Sequence, residues 1–162
     1  MTQADPAWQQ RMDDLWATYD DYEPEEFLRR AEALAAERGR DDPLALFELA
    51  GAHDSTGHPE QAAPLYRQAL ERGLTGEQRR RAVIQLASTL RNLGHADESV
   101  ALLRAERDAG SDALDDAVAA FLALALVDVG REREAVGLAL GALAPHLPRY
   151  NRSLANYAED LL

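Results

Sequence analysis

The sequence predicts an all-α fold of consecutive antiparallel helical hairpins, and three observations predict it. Glycines at 39, 57, 73, 94, 110 and 130 punctuate the chain every 16 to 21 residues. Between them apolar residues recur at helical spacing, as in Val83, Leu86, Ala87, Leu90 and Leu93. Sustained period-two alternation is missing, and β-branched residues are sparse beside alanine and leucine. With 162 residues, 46% of them apolar, the chain has the material for one core, and a single domain over 1–162 is expected.

The elements follow in order. Helices are expected at 6–19, 24–38, 43–56, 60–72, 76–93, 96–109, 113–129, 131–144 and 149–161. Asp5-Pro6 and Asp42-Pro43 each pair a good N-cap with a proline at the first helical position. The first helix carries the stripe Trp8, Met12, Leu15, Trp16 and Tyr19; the second carries Phe27, Leu28, Ala31 and Leu34. Together they read as a degenerate N-terminal hairpin over 1–40. In the third helix Leu46, Leu49, Ala50 and His53 share a face. Pro64 lies inside the fourth, where its missing donor either kinks the helix or delays its start. Thr75 with Gln78 fits a capping box for the fifth. The turn glycines act as left-handed helix stops, a conformation that glycine adopts without a Cβ penalty. Gly137, Gly141 and Ala142 give the eighth helix a small face suited to close packing. Tyr150, Leu154, Tyr157, Ala158 and Leu161 form the stripe of a C-terminal capping helix over 149–162.

Composition narrows the chemistry. The chain lacks cysteine and lysine, so all 17 positive charges are arginines. That removes thiolate nucleophiles, cysteine-based metal sites, Schiff-base lysines and phosphate-cradling Walker lysines. The net charge of −12 argues against nucleic-acid binding, which needs clustered cations. Residues 1–42 hold twelve acids against five arginines, 43–93 five against six, and 94–162 twelve against six, leaving a basic island between acidic ends. The apolar run from Ala117 to Val127 is about half the ~20 residues that span a bilayer, and the opening residues are polar and acidic. A cytoplasmic location with no membrane partner is expected. No two histidines have the i, i+4 spacing of a helical zinc pair, and no metal or cofactor is expected. His58 and His95, each following a turn glycine, read as exposed turn residues, and His53 as a packing residue. The acids at the starts of the seventh and eighth helices suit the helix dipole.

Laid over itself with shifts of 37 and then 36 residues, the chain repeats. Leu49-Ala50, Gly57, Ala62, Tyr66 and Ala69 align with Leu86-Ala87, Gly94, Ser99, Leu103 and Glu106. Those align in turn with Leu122-Ala123, Gly130, Ala135, Ala139 and Ala142. The pattern resembles the tetratricopeptide repeat, in which a large-small pair on one helix, a glycine turn and a small residue on the next let two helices close together. The period exceeds 34, the closing proline is missing from the first two repeats, and the second-helix aromatic survives only as Tyr66. Gly51-Ala52-His53-Asp54-Ser55 and the run from Gln85 to Gly94 resemble more closely the small bacterial tetratricopeptide repeat group-5 proteins, from about residue 20 to the C-terminus. The resemblance implies a right-handed α-α superhelix, or solenoid, of about four hairpins, with repeats at 43–73, 76–109 and 113–145.

It also implies a concave groove lined by the first helix of each pair. Transferred residue by residue, the groove takes Phe47, Gly51, Asp54 and Ser55; then Arg81, Ile84, Gln85, Ser88, Arg91 and Asn92; then Ala120, Leu124, Val127 and Asp128. The lysine-asparagine clamp with which some superfamily members hold C-terminal carboxylates is replaced here by Phe47 and Gly51. Spacing alone shows Arg81, Gln85, Ser88 and Asn92 as a polar stripe flanked by Arg91. Such a stripe suits a carboxylate or a peptide backbone, and it equally suits a solvated face; both readings stand. The Arg79-Arg80-Arg81 triplet sits unfavourably near a helix N-terminus, which leans toward a role in binding.

The functional expectation is a non-enzymatic protein–protein interaction module holding a peptide or protein segment around Arg81, Ser88, Arg91 and Asn92, as monomer or homodimer. An alternative is a self-assembling structural subunit that uses Tyr150 and Tyr157 or the N-terminal aromatics. A small-molecule or enzymatic site would have to draw on His53, Asp54 and Arg91.

Overall fold

The computed structural model describes residues 5–162, and every regular element among them is helical. Nine α-helices run in order: α1 (Pro6–Ala17), α2 (Pro24–Ala36), α3 (Pro43–Ser55), α4 (Pro59–Glu71), α5 (Gly76–Asn92), α6 (Ala96–Ala109), α7 (Asp115–Asp128), α8 (Glu132–Leu143) and α9 (Asn151–Glu159). Short 3₁₀ turns follow α1 (Tyr19–Asp21) and α8 (Ala144–His146). The chain forms two compact units, one up to Ala82 and one from Val83, with the division inside α5.

In the first unit, Trp8, Met12 and Leu15 of α1 meet Phe27, Ala31 and Ala35 of α2 and Ala45 and Ala52 of α3. The Trp8 indole Nε1 donates to the Leu34 carbonyl at 2.8 Å, so the large ring is buried without an orphaned donor. The α2–α3 connection is held by one carboxylate. Asp42 Oδ1 accepts from the Leu44 and Ala45 amides at 3.1 and 2.9 Å, satisfying the start of α3. The same carboxylate takes two bonds of 3.0 Å from the Arg38 guanidinium, which also lies over the Trp8 ring at 4.8 Å. Asp5 caps α1 in the same manner, through the Ala7 and Trp8 amides. α3 packs against α4, and Ala50, Ala62, Tyr66 and Ala69 are buried.

In the second unit, Ile84 and Ala87 of α5, Val100 and Leu103 of α6, five residues of α7 and Ala135 of α8 form the core. The small repeat positions Ala87, Ser99, Ala123 and Ala135 are all buried. α9 packs on α8 at Gly137, where a Cβ would come within 2.9 Å of the Ala158 carbonyl. That contact accounts for the small face expected there.

Most helix stops follow the expected chemistry. After Gly57, Gly94 and Gly130, each at positive φ, the next amide donates back to the carbonyl five residues earlier, as in His95 N to Leu90 O at 2.8 Å. Gly110 departs from the expectation: its φ of 169° is extended backbone. The chain instead turns on side chains, with Asp115 Oδ1 accepting from the Asp112 amide and Asp112 Oδ1 from the Leu114 amide. For that reason α7 starts at Asp115 rather than 113. α1 stops at Ala17, where the Thr18 hydroxyl bonds back to the Asp14 carbonyl. Pro64 does not delay its helix, which starts at Pro59 and runs through it.

Burial raises and guanidinium and amide partners more than offset it, so the Asp42 carboxyl is held below the usual carboxylate range. A carboxylate with a depressed folded pKa contributes stability above its unfolded pKa, and that contribution is lost as pH falls through the folded value. Asp42→Ala is expected to lose about 3 kcal/mol, from the lost cap and the stranded Arg38. Asp42→Asn, which keeps an oxygen for the cap, is expected to lose less; urea unfolding at pH 7 checks both.

Candidate functional site

α3 is apolar almost throughout, and Glu48 is an acid inside it. Its carboxylate is buried and accepts from the Trp16 indole Nε1 at 2.8 Å. Burial drives its pKa up, against the pull of the Trp16 hydrogen bond and the Arg81 charge. Trp16 lies directly on α3, since a Cβ on Gly51 would stand 3.3 Å from its ring. Its other neighbours are Tyr19 and Phe27, with ring centroids 6.1 and 4.9 Å away. The Tyr19 hydroxyl donates to the Ser55 carbonyl at 2.6 Å. The face of α3 assigned to ligand is thus covered over Gly51 by the chain's own N-terminal aromatics.

This alters the reading of the first-unit residues. Phe47, expected to line the groove, is only 2% exposed. Its ring packs 6.3 Å from that of Tyr66, and the Arg81 guanidinium sits over the ring at 5.4 Å. Phe47 therefore supports Arg81 from below and offers no surface of its own. Arg81 is exposed and Asp54 half-buried. Burial first, and the nearby Asp54 charge second, push the Tyr66 phenol up.

In the second unit α5 presents Gln85, Ser88, Arg91 and Asn92, and α7 presents Leu124, Val127 and Asp128. Arg91 Nε stands 2.6 Å from Asp128 Oδ2, but the N–H is not aimed at the oxygen, so the contact is an ion pair without a hydrogen bond along Nε–H. Two expected site residues are thereby brought together, and the guanidinium is already partly neutralised. Ser88 is half-buried and Asn92 exposed. Gln85 Oε1 is enclosed and finds no hydrogen-bond partner among the described residues. Beside them Leu124 and Val127 stand 46% and 47% exposed, large apolar groups on a face that carries an ion pair.

A model of the tetratrico peptide repeat family matches residues 43–161. The chain belongs to this family. Repeats of the family generally mediate protein–protein interaction and are typically non-catalytic. No curated protein and no solved structure matches the chain. Residues up to 42, which supply Trp16 and Tyr19, lie outside the match. No helix among the described residues is long and apolar enough to cross a membrane.

The histidines sort by burial. His95 is exposed, as expected of a turn residue, while His58 is half-buried with Nδ1 3.1 Å from the Thr56 hydroxyl. His53 packs edge-on to His58, centroids 6.0 Å apart, and burial lowers its pKa. The contact that sequence reasoning missed is Glu48 with Trp16. Its signal was present in a lone acid within the apolar run from Leu44 to Ala52.

An acid whose folded pKa is raised favours its neutral form in the fold. Its contribution is fully present below the unfolded pKa, about 4.3 for Glu, and is lost as pH rises through the folded value. Glu48→Gln keeps an oxygen for the Trp16 indole and removes the buried charge. It is expected to raise the melting temperature at pH 7 by about 2 °C, with the gain vanishing near pH 4; thermal melts at the two pH values check this.

Proposed function

We propose that the protein is a non-enzymatic interaction module that holds an extended protein segment on the first-helix side of its repeats, with Ser88, Arg91, Asn92, Leu124, Val127 and Asp128 as the recognition surface. The observation that carries this reading is the pair of exposed aliphatic side chains beside the Arg91–Asp128 ion pair. Aliphatic groups left in water next to polar groups at mid-face suit a segment that brings one apolar side chain and its own backbone. Arg91 can take an acceptor on its Nη groups while Asp128 stays close to Nε. Asn92 and Ser88 supply donors and acceptors to a strand-like backbone. Gln85, whose enclosed oxygen has no partner, lies one turn from Ser88 and Thr89 on the same helix. Arg81, braced on Phe47 in the first unit, is not part of this surface. Phe47, which is buried, and Asp54, which belongs to the first unit, are left out of the contact set.

Family membership supports the class of activity, since protein–protein interaction is what these repeats generally do. The N-terminal aromatics supply the second support: with α3 covered at Gly51 by Trp16, the uncovered apolar positions on first helices fall on α7.

Selection from a displayed peptide library against the wild-type protein is expected to yield sequences with a large aliphatic residue near an acidic one. Arg91→Glu and Leu124→Asp should each weaken the selected peptides at least tenfold, about 1.4 kcal/mol. Arg107→Glu, on a second helix, should leave them unchanged. Unaltered affinity in both of the first two variants, with helicity intact, would place binding elsewhere.

A further inference from the structure

α9 carries its charges the wrong way round for a lone helix. The helix dipole favours acids at the N-terminus and bases at the C-terminus, and α2, α6, α7 and α8 all open on acids. α9 instead has Arg149 and Arg152 at its start and Glu159 and Asp160 at its end, with no acid in the first turn and no base in the last. Among the described residues none of these four side chains takes part in an ion pair. Arg133 does reach this end of the helix, but its Nη2 donates to the Asp160 carbonyl.

The two most exposed aromatic rings of the described chain are Tyr150, which immediately precedes α9, at 76% and Tyr157 within it at 67%. Tyr150, with φ of 68°, is the one described non-glycine residue in the left-handed region, an uncommon conformation for a bulky side chain. Register sharpens the anomaly. Tyr157-Ala158 falls 35 residues after Leu122-Ala123, so α9 bears the large-small pair of a first repeat helix. On α5 and α7, Leu86 and Leu122 are buried; at the matching position of α9, Tyr157 is in water. Ala158, by contrast, is buried against α8 at Gly137.

We propose that this face pairs with the α9 of a second copy of the chain, antiparallel about a two-fold axis. In that arrangement the basic start of each helix meets the acidic end of the other, the two dipoles oppose, and both charge mismatches are relieved at once. The two-fold makes the contact self-complementary, and Tyr150 and Tyr157 of each copy close over its centre. Four partly exposed tyrosines cover on the order of 500 Å², well under a standard interface of about 1,600 Å². The dimer is accordingly weak and reversible, with a Kd on the order of 100 μM. It is independent of the recognition surface on α5 and α7 and stands or falls separately from it.

Sedimentation velocity on the full chain from about 10 μM to about 1 mM, at low salt, tests the pairing. Wild type is expected to shift from monomer to dimer across that range and to revert to monomer in Tyr157→Glu. Arg149→Glu with Arg152→Glu gives an all-acidic α9, and Glu159→Arg with Asp160→Arg an all-basic one. Each double variant alone is expected to stay monomeric, and an equimolar mixture of the two to dimerise. Circular dichroism confirms that the variants fold. A wild type that stays monomeric throughout overturns the proposal. So does a dimer that survives Tyr157→Glu, or a charge-reversed mixture that fails to associate.

Discussion

Close approach of helices at small residues is the constraint on which the rest of the molecule depends. Ala50 with Ala62, Ala87 with Ser99, and Ala123 with Ala135 sit at equivalent places in three hairpins, and all six are buried. Without side-chain bulk at the crossing, the two helices approach until larger neighbours such as Tyr66, Leu103 and Leu126 interlock around it. Interiors pack at crystal-like density, so each extra methylene at such a crossing is felt. The crossing also fixes helix rotation. Once the small residue faces its partner, residues roughly 100° or more around the helix from it are turned toward solvent or a ligand, as Ser88 and Asn92 are relative to Ala87 on α5.

Arginine does the remaining fastening, in a chain that has no lysine. The planar guanidinium can stack and bind bidentately at once, and Arg38 does both, lying over Trp8 while gripping Asp42. Arg81 sits over the Phe47 ring, and Arg104 reaches from α6 to Glu134 on α8. An ammonium group makes a point contact and could not grip Asp42 through two parallel bonds as Arg38 does. The exposed pairs, such as Arg11 with Glu37, contribute little to stability. The enclosed Arg38–Asp42 pair matters more, because removing one partner strands the other.

Much of this was legible from residue order. Helix starts at Asp5-Pro6 and Asp42-Pro43 were readable because capping is local chemistry, and the same holds for the stops at Gly57, Gly94 and Gly130. The repeat was readable because the same packing problem is solved three times with the same small residues. Contacts between distant segments were not. Phe47 was assigned to the groove by transfer from the repeat family, whereas in the fold the Tyr66 ring and the Arg81 guanidinium, 34 positions later, pack on it. Trp16 and Glu48 are 32 residues apart and share no pattern that periodicity detects. Arg91 and Asp128 were both picked out singly, and their mutual neutralisation depends on how α5 meets α7. Gly110 misled because glycine permits an extended backbone as readily as a left-handed one.

Both indoles of the chain, Trp8 and Trp16, belong to the first compact unit, one enclosed against Leu34 and the other resting on α3. Intrinsic tryptophan emission is consequently a local reporter. Melting or solvent entry among the first four helices changes it directly, whereas loosening confined to α6–α9 passes unseen. Three of the five tyrosines, Tyr19, Tyr22 and Tyr66, share that unit with the indoles, so Tyr150 and Tyr157 become a separate optical window on the second unit only once those three are replaced by phenylalanine.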